Sequence, residues 1–110
     1  DGKEVYKTGT EVLPQAINQV LEQSNLKIED IDMMIPHQPS IKVLKKTAEK
    51  INLPWEKVAT NMKYIANTAG GTVPILLHDL NSNKRINNND KILFATVGSG
   101  WTYAAAVMSW

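Results

Sequence analysis

Cysteine is absent from all 110 positions, which removes several kinds of chemistry at once. No disulfide framework can staple the chain, no thiolate can ligate zinc, and no cysteine nucleophile is present. Charge of one sign is missing as well: twelve Lys and Arg stand against eleven Asp and Glu, for a formal net charge of +1. That balance gives no basis for general nucleic-acid binding, which calls for a strongly basic face. No apolar run approaches the roughly 20 residues that span a bilayer. Neither a signal peptide nor a lipidation motif is found, nor any internal repeat, so no membrane partner is expected and the cytoplasm is the expected setting. The opening Asp1-Gly2-Lys3-Glu4-Val5-Tyr6-Lys7 has no initiator Met and reads as the middle of a longer protein. The last strand, closing at Trp110, reads as a natural C-terminus.

With 43% hydrophobic residues, positions 1–110 suffice for one small domain around one core. Val12, Leu13, Ala16, Ile17, Val20 and Leu21 recur at spacings of three and four, predicting a helix over Glu11–Ser24. Thr10 is expected to cap it and Pro14 to sit in its first turn, where a missing N–H costs nothing. Ile31–Ile35 reads as a short buried strand of parallel type, closed by Pro36. Ser40 can cap a second helix carrying Ile41, Leu44, Ala48 and Ile51. A weak strand is expected around Val58-Ala59-Thr60, a third helix over Thr68–Leu80, and a polar turn region from Asn81 to Asp90. Lys91–Val97 and Thr102–Ser109 read as strands of a hairpin. This order predicts an α/β fold, a mixed sheet covered by helices and ending in a β-hairpin.

Two polar residues thirty positions apart stand where apolar strands give way to helical pattern, at His37 and Asn67. His37 lies in Ile35-Pro36-His37-Gln38-Pro39-Ser40, where the prolines stiffen the backbone that presents the ring. A histidine there is either a hydrogen-bonded structural residue or a group for acid/base work and carbonyl polarisation near pH 7. Asn67, in Asn67-Thr68-Ala69-Gly70-Gly71, either caps the following helix or offers an unionised donor to an oxyanion. Gly98-Ser99-Gly100 is either a plain hairpin turn or a turn whose Ser99 N–H faces a substrate carbonyl. Lys42, Lys46 and Lys50 form one helix face, solvated or able to dock an acidic or phosphate-bearing partner. His78 has no comparable context and reads as structural or solvated.

Taken together, Gly2-Lys3-Glu4-Val5-Tyr6-Lys7, Ile35-Pro36-His37-Gln38, Asn67-Thr68, Val73-Pro74 and Gly98-Ser99-Gly100-Trp101-Thr102 resemble, in order and spacing, the C-terminal part of β-ketoacyl-acyl-carrier-protein synthase III. The resemblance runs through essentially the whole chain. It implies the C-terminal half of a thiolase-like fold, without its own first strand and with an apolar face meant for the other half. It also implies a cysteine, histidine and asparagine active site, with His37 and Asn67 in the last two roles and the Ser99 amide in an oxyanion hole. The cysteine would lie in an N-terminal half outside this chain, so the chain alone is expected to be inactive. No cofactor is implied; coenzyme A thioesters are substrates. The implied partners are the N-terminal half, acyl-CoA, acyl carrier protein docked near Lys42, Lys46 and Lys50, and a second subunit in a homodimer.

The implied reaction joins an acyl-CoA primer to malonyl-acyl-carrier protein with loss of CO2. Related Cys-His-Asn enzymes of polyketide or hydroxymethylglutaryl-CoA type are alternatives, as is a non-catalytic module that binds acyl carrier protein. Two departures bear on substrate choice. The family's His-Gln-Ala-Asn-x-Arg stretch is His37-Gln38-Pro39-Ser40-Ile41-Lys42 here. Lys42 keeps the charge of the family's arginine without its planar two-pronged donor geometry. The approach to the asparagine reads Tyr64-Ile65-Ala66-Asn67.

Overall fold

The computed structural model describes residues 2–38, 40–61, 71–98 and 101–110. Its long elements are α1 (Gly2–Gln23), β1 (Met33–Pro36), α2 (Ile41–Ile51), α3 (Thr72–Ser82), β2 (Lys91–Gly98) and β3 (Thr102–Ser109). The strands form one mixed sheet in the order β1-β2-β3, parallel between β1 and β2 and antiparallel between β2 and β3. Both the mixed sheet and the closing hairpin match the expectation from sequence.

Period-two alternation divides the core between the two faces of the sheet. Met34, Leu93 and Ala95 pack with Leu13, Ile17 and Leu21 of α1 and Val43, Ala48 and Ile51 of α2. Ile35 and Ile92 pack on the other face with Leu76 and Leu80 of α3, and with Ile86. The apolar run in β1 follows from this arrangement, since a strand covered on both faces has no solvent side to keep polar.

Helix α2 begins and ends as its sequence requires. The Ser40 hydroxyl accepts from the Val43 N–H at 3.2 Å, and Asn52 closes the helix in the left-handed region at φ 59°. Ser40 thus takes the capping role expected of it. Helix α3 ends at Ser82; its expected beginning at Thr68 lies outside the described residues.

Three expectations need correction. Helix α1 starts at Gly2 and not near Glu11, Thr10 is no cap, and Pro14 falls in the helix interior. There the Thr10 hydroxyl donates back to the carbonyls of Tyr6 and Lys7, at 2.9 and 3.0 Å. A proline at position 14 has no N–H for the carbonyl four residues earlier, which is that of buried Thr10. The Lys50 ammonium of α2 supplies the missing donor at 2.8 Å. A long helix containing an interior proline is tolerated because a neighbouring helix completes its ladder.

The expected strand at Val58-Ala59-Thr60 is reduced to a single parallel bridge between Met34 and Val58. The Ala59 N–H donates to Met34 O at 2.9 Å, and the next rung of a parallel ladder would run from residue 36 to Ala59 O. Residue 36 is proline, so that rung has no donor. The third correction is a shift in β1, which runs Met33–Pro36 and not Ile31–Ile35.

The Lys50–Thr10 bond should be worth about 1 kcal/mol, as expected for a hydrogen bond from a partly solvated charge. Lys50→Met should lower the unfolding free energy by that amount. In a Pro14→Ala background the residue-14 N–H can serve Thr10 O, and the Lys50→Met cost should shrink. Equal costs in both backgrounds, measured by denaturant unfolding, would show that Lys50 does not compensate for Pro14.

Candidate active site

His37 follows β1 directly and continues its alternation: residues 33, 35 and 37 face α3. Its N–H donates to Ala95 O at 2.7 Å, so its backbone is held by the parallel ladder with β2. Its ring meets the start of α3, with Nδ1 2.8 Å from the Thr72 hydroxyl. This bond can run either way, depending on the tautomer of the ring. Among the described residues no acidic side chain hydrogen-bonds the imidazole.

Gln38 was not singled out from sequence, yet it is wholly buried. Its Nε2 donates to Pro36 O at 2.9 Å and to Ala59 O at 3.3 Å, and its Oε1 accepts from the Asn61 N–H at 3.3 Å. These are the groups that the proline-interrupted ladder leaves without partners. The carboxamide fills the gap and ties the segment around Ala59 to the strand end that presents His37.

Parallel pairing brings the carboxyl ends of β1 and β2 to one edge of the sheet, where open α/β sheets place their ligands. The hairpin register closes at Gly98↔Thr102, about 10 Å along β2 from Ala95 at strand rise. His37, Thr72 and the base of the hairpin turn therefore share this edge. Beside Thr72 lies an open hollow of about 310 Å³, lined by Val73, Phe94, Thr96 and the small side chains Ala104 and Ala106. Asn67 and Ser99, the other two expected site residues, lie outside the described residues, as does Pro39.

Lys42, Lys46 and Lys50 of α2 differ in their surroundings. Lys42 is exposed and borders a shallow depression with Val5, Tyr6 and Ser40. Lys46 sits 3.5 Å from Glu49, and Lys50 is turned toward Thr10 O. Lys45 lies over the Trp55 ring at 5.5 Å. His78 is exposed, in keeping with its solvated reading. Edge strand β3 and its ends leave Trp101, Tyr103, Met108 and Trp110 exposed.

Comparison with known proteins agrees with this geometry. Residues 21–110 match the family described as 3-oxoacyl-[acyl-carrier-protein] synthase III C terminal. The synthase III of Clostridium perfringens is 34% identical over 108 residues, covering 98% of this chain and 33% of that protein. The synthase III of Prochlorococcus marinus is 36% identical over 110 residues, covering 100% of this chain and 32% of that protein. The crystal structure of 3-oxoacyl-[acyl-carrier-protein] synthase III from Aquifex aeolicus superposes with a TM-score of 0.98 at 31% identity, covering 100% of this chain and 36% of that one. The layered α/β architecture, with its mixed sheet between helices, is that of a thiolase-like protein. The chain belongs to the 3-oxoacyl-[acyl-carrier-protein] synthase III family, in its C-terminal part. It spans about a third of the length of the curated relatives it matches.

Burial pushes the His37 pKa below its ordinary 6.5. Well above pH 6.5 the ring is neutral whether the chain is folded or not, so this group adds no pH dependence there. As pH falls below 6.5, the unfolded chain takes up a proton that the folded one resists, and stability declines until the folded pKa is passed. His37→Gln should therefore flatten unfolding free energy against pH below about 6.5. Identical slopes for the variant and the unaltered protein would contradict this.

Proposed function

We propose that this chain is the C-terminal part of an enzyme that starts fatty-acid synthesis by condensing an acyl-CoA primer with malonyl-acyl-carrier protein. The observation that carries the proposal is His37: a ring whose protonation burial disfavours, presented from a rigid strand end at the edge shared with Gly98 and Thr102. A neutral imidazole at such an edge can donate to a thioester carbonyl without titrating near pH 7.

In this reading a cysteine thiolate from the rest of the protein attacks the acyl-CoA carbonyl and expels the coenzyme A thiolate. Malonyl-acyl-carrier protein then binds with its thioester oxygen between His37 and Asn67. The bond to the carboxylate breaks, CO2 leaves, and the electron pair becomes an enolate whose oxygen these two residues stabilise. The enolate carbon attacks the acyl-cysteine carbonyl, and the resulting oxyanion is met by the Ser99 N–H. Collapse expels the cysteine thiolate and leaves a 3-oxoacyl thioester on the carrier.

Asn67 stands five residues before Thr72, a tether of at most about 18 Å, which lets it reach the same edge. Exposed Lys42, with Lys46 beside it, supports docking of the acidic carrier on this face, whereas Lys50 has a structural task as well. Exposed Tyr103 of β3 and the flanking Trp101 and Trp110 suit contact with the remaining two-thirds of the enzyme or with the second subunit of a homodimer. A cytoplasmic setting fits this reaction. The matched family does not favour a polyketide or hydroxymethylglutaryl-CoA enzyme, or a carrier-binding module without catalysis.

In the full-length protein, His37→Ala and Asn67→Ala should each lower condensation by on the order of 10²–10³-fold, the usual loss for one oxyanion-hole donor. Unfolding midpoints should change little. Normal condensation by both variants would refute the assignment.

A further inference from the structure

We infer that Thr72 is a positioning residue for His37: its hydroxyl donates to Nδ1 and holds the imidazole as the tautomer protonated on Nε2. This rests on the condensing role proposed for His37 and specifies how that role is secured.

A neutral imidazole has one donor nitrogen and one acceptor nitrogen, and the bond at one decides the state of the other. Nδ1 is 2.8 Å from Thr72 Oγ1, while Nε2 has no hydrogen-bond partner among the described residues. If Nδ1 were the donor, Nε2 would carry a lone pair and would repel the enolate oxygen it is meant to stabilise. Only a donating hydroxyl leaves an N–H on the free nitrogen. The two possible directions of the bond thus differ in chemical consequence, and the proposed reaction selects one.

The surroundings of Thr72 suit such a fixed role. The residue is only 3% exposed, so its hydroxyl must find partners within the protein. It occupies the first position of α3, and the preceding N-cap, Gly71, makes no side-chain capping bond. His37 is anchored from the opposite side by its own N–H on Ala95 O. Ring and hydroxyl therefore meet between a strand end and a helix start, which is more precise than placement on a loop. Valine would fill nearly the same volume, so the hydroxyl is the part of the side chain with a chemical task.

The test combines imidazole nitrogen NMR with kinetics on the full-length protein, using histidine labelled with 15N and the His37 signals assigned by their loss in His37→Ala. The unaltered protein should show His37 in the single Nε2–H form. Thr72→Val should show mixed tautomers and a kcat for condensation lower by roughly 10-fold or more, with KM for the malonyl thioester little changed. Thr72→Ser should restore both readouts. A proton on Nδ1 in the unaltered protein, or a Thr72→Val enzyme with unchanged tautomer and kcat, would overturn the inference. So would equal losses in the Val and Ser variants together with a lowered unfolding midpoint, which would mark Thr72 as structural only. If the unaltered protein fails to condense while the NMR pattern holds, the proposed reaction falls and the hydroxyl–imidazole bond stands.

Discussion

The parallel pairing of β1 with β2 is the constraint on which the rest of the structure depends. Met33 to Pro36 lie in register with Ile92 to Ala95, and the ladder continues through the His37 N–H to Ala95 O. Parallel strands need cover on both faces, and α1 with α2 on one side and α3 on the other provide it. The same pairing sends both carboxyl ends to one edge. Without it His37 would have neither a fixed backbone nor a neighbour in Thr72.

Two prolines interrupt this framework, and both gaps are filled by side chains. Pro14 removes the donor for Thr10 O inside α1, and Lys50 reaches across from α2 to replace it. Pro36 removes the donor for Ala59 O, and the buried carboxamide of Gln38 replaces it while also serving Pro36 O and the Asn61 N–H. A missing N–H at a buried position must be answered, because an unpaired carbonyl there is costly. In the second case the answer lies beside His37, so backbone repair and the rigidity of the site are one arrangement.

How far the sequence is legible follows from the range of the interactions involved. Helix α2, its Ser40 cap and the β2–β3 hairpin can be read directly, because periodicity and turn residues are local signals. His37 was legible as a strand-end histidine between prolines, and its resemblance to a family motif added the role. The first half of α1 was not, since Gly2, Gly9 and Pro14 argue against a helix and the group that rescues it is thirty-six residues after Pro14. The segment at Val58 read as a strand by composition, and only its neighbour Pro36 shows why the pairing stops at one bridge. Thr72 left no mark at all: a threonine after two glycines says nothing of a histidine thirty-five residues earlier.

The central claim is that these residues provide the carbonyl-polarising half of a condensing site whose nucleophile lies elsewhere in the protein. Intact-mass and peptide mass spectrometry after incubation with an acyl-CoA tests it most directly, run on the full-length protein and on the 110-residue chain side by side. The account predicts one acyl group on a cysteine of the full-length protein and none on the chain alone, which has no thiol to accept it. A stoichiometric acyl adduct on any residue of the isolated chain, or a full-length protein that takes up no acyl group, would contradict it.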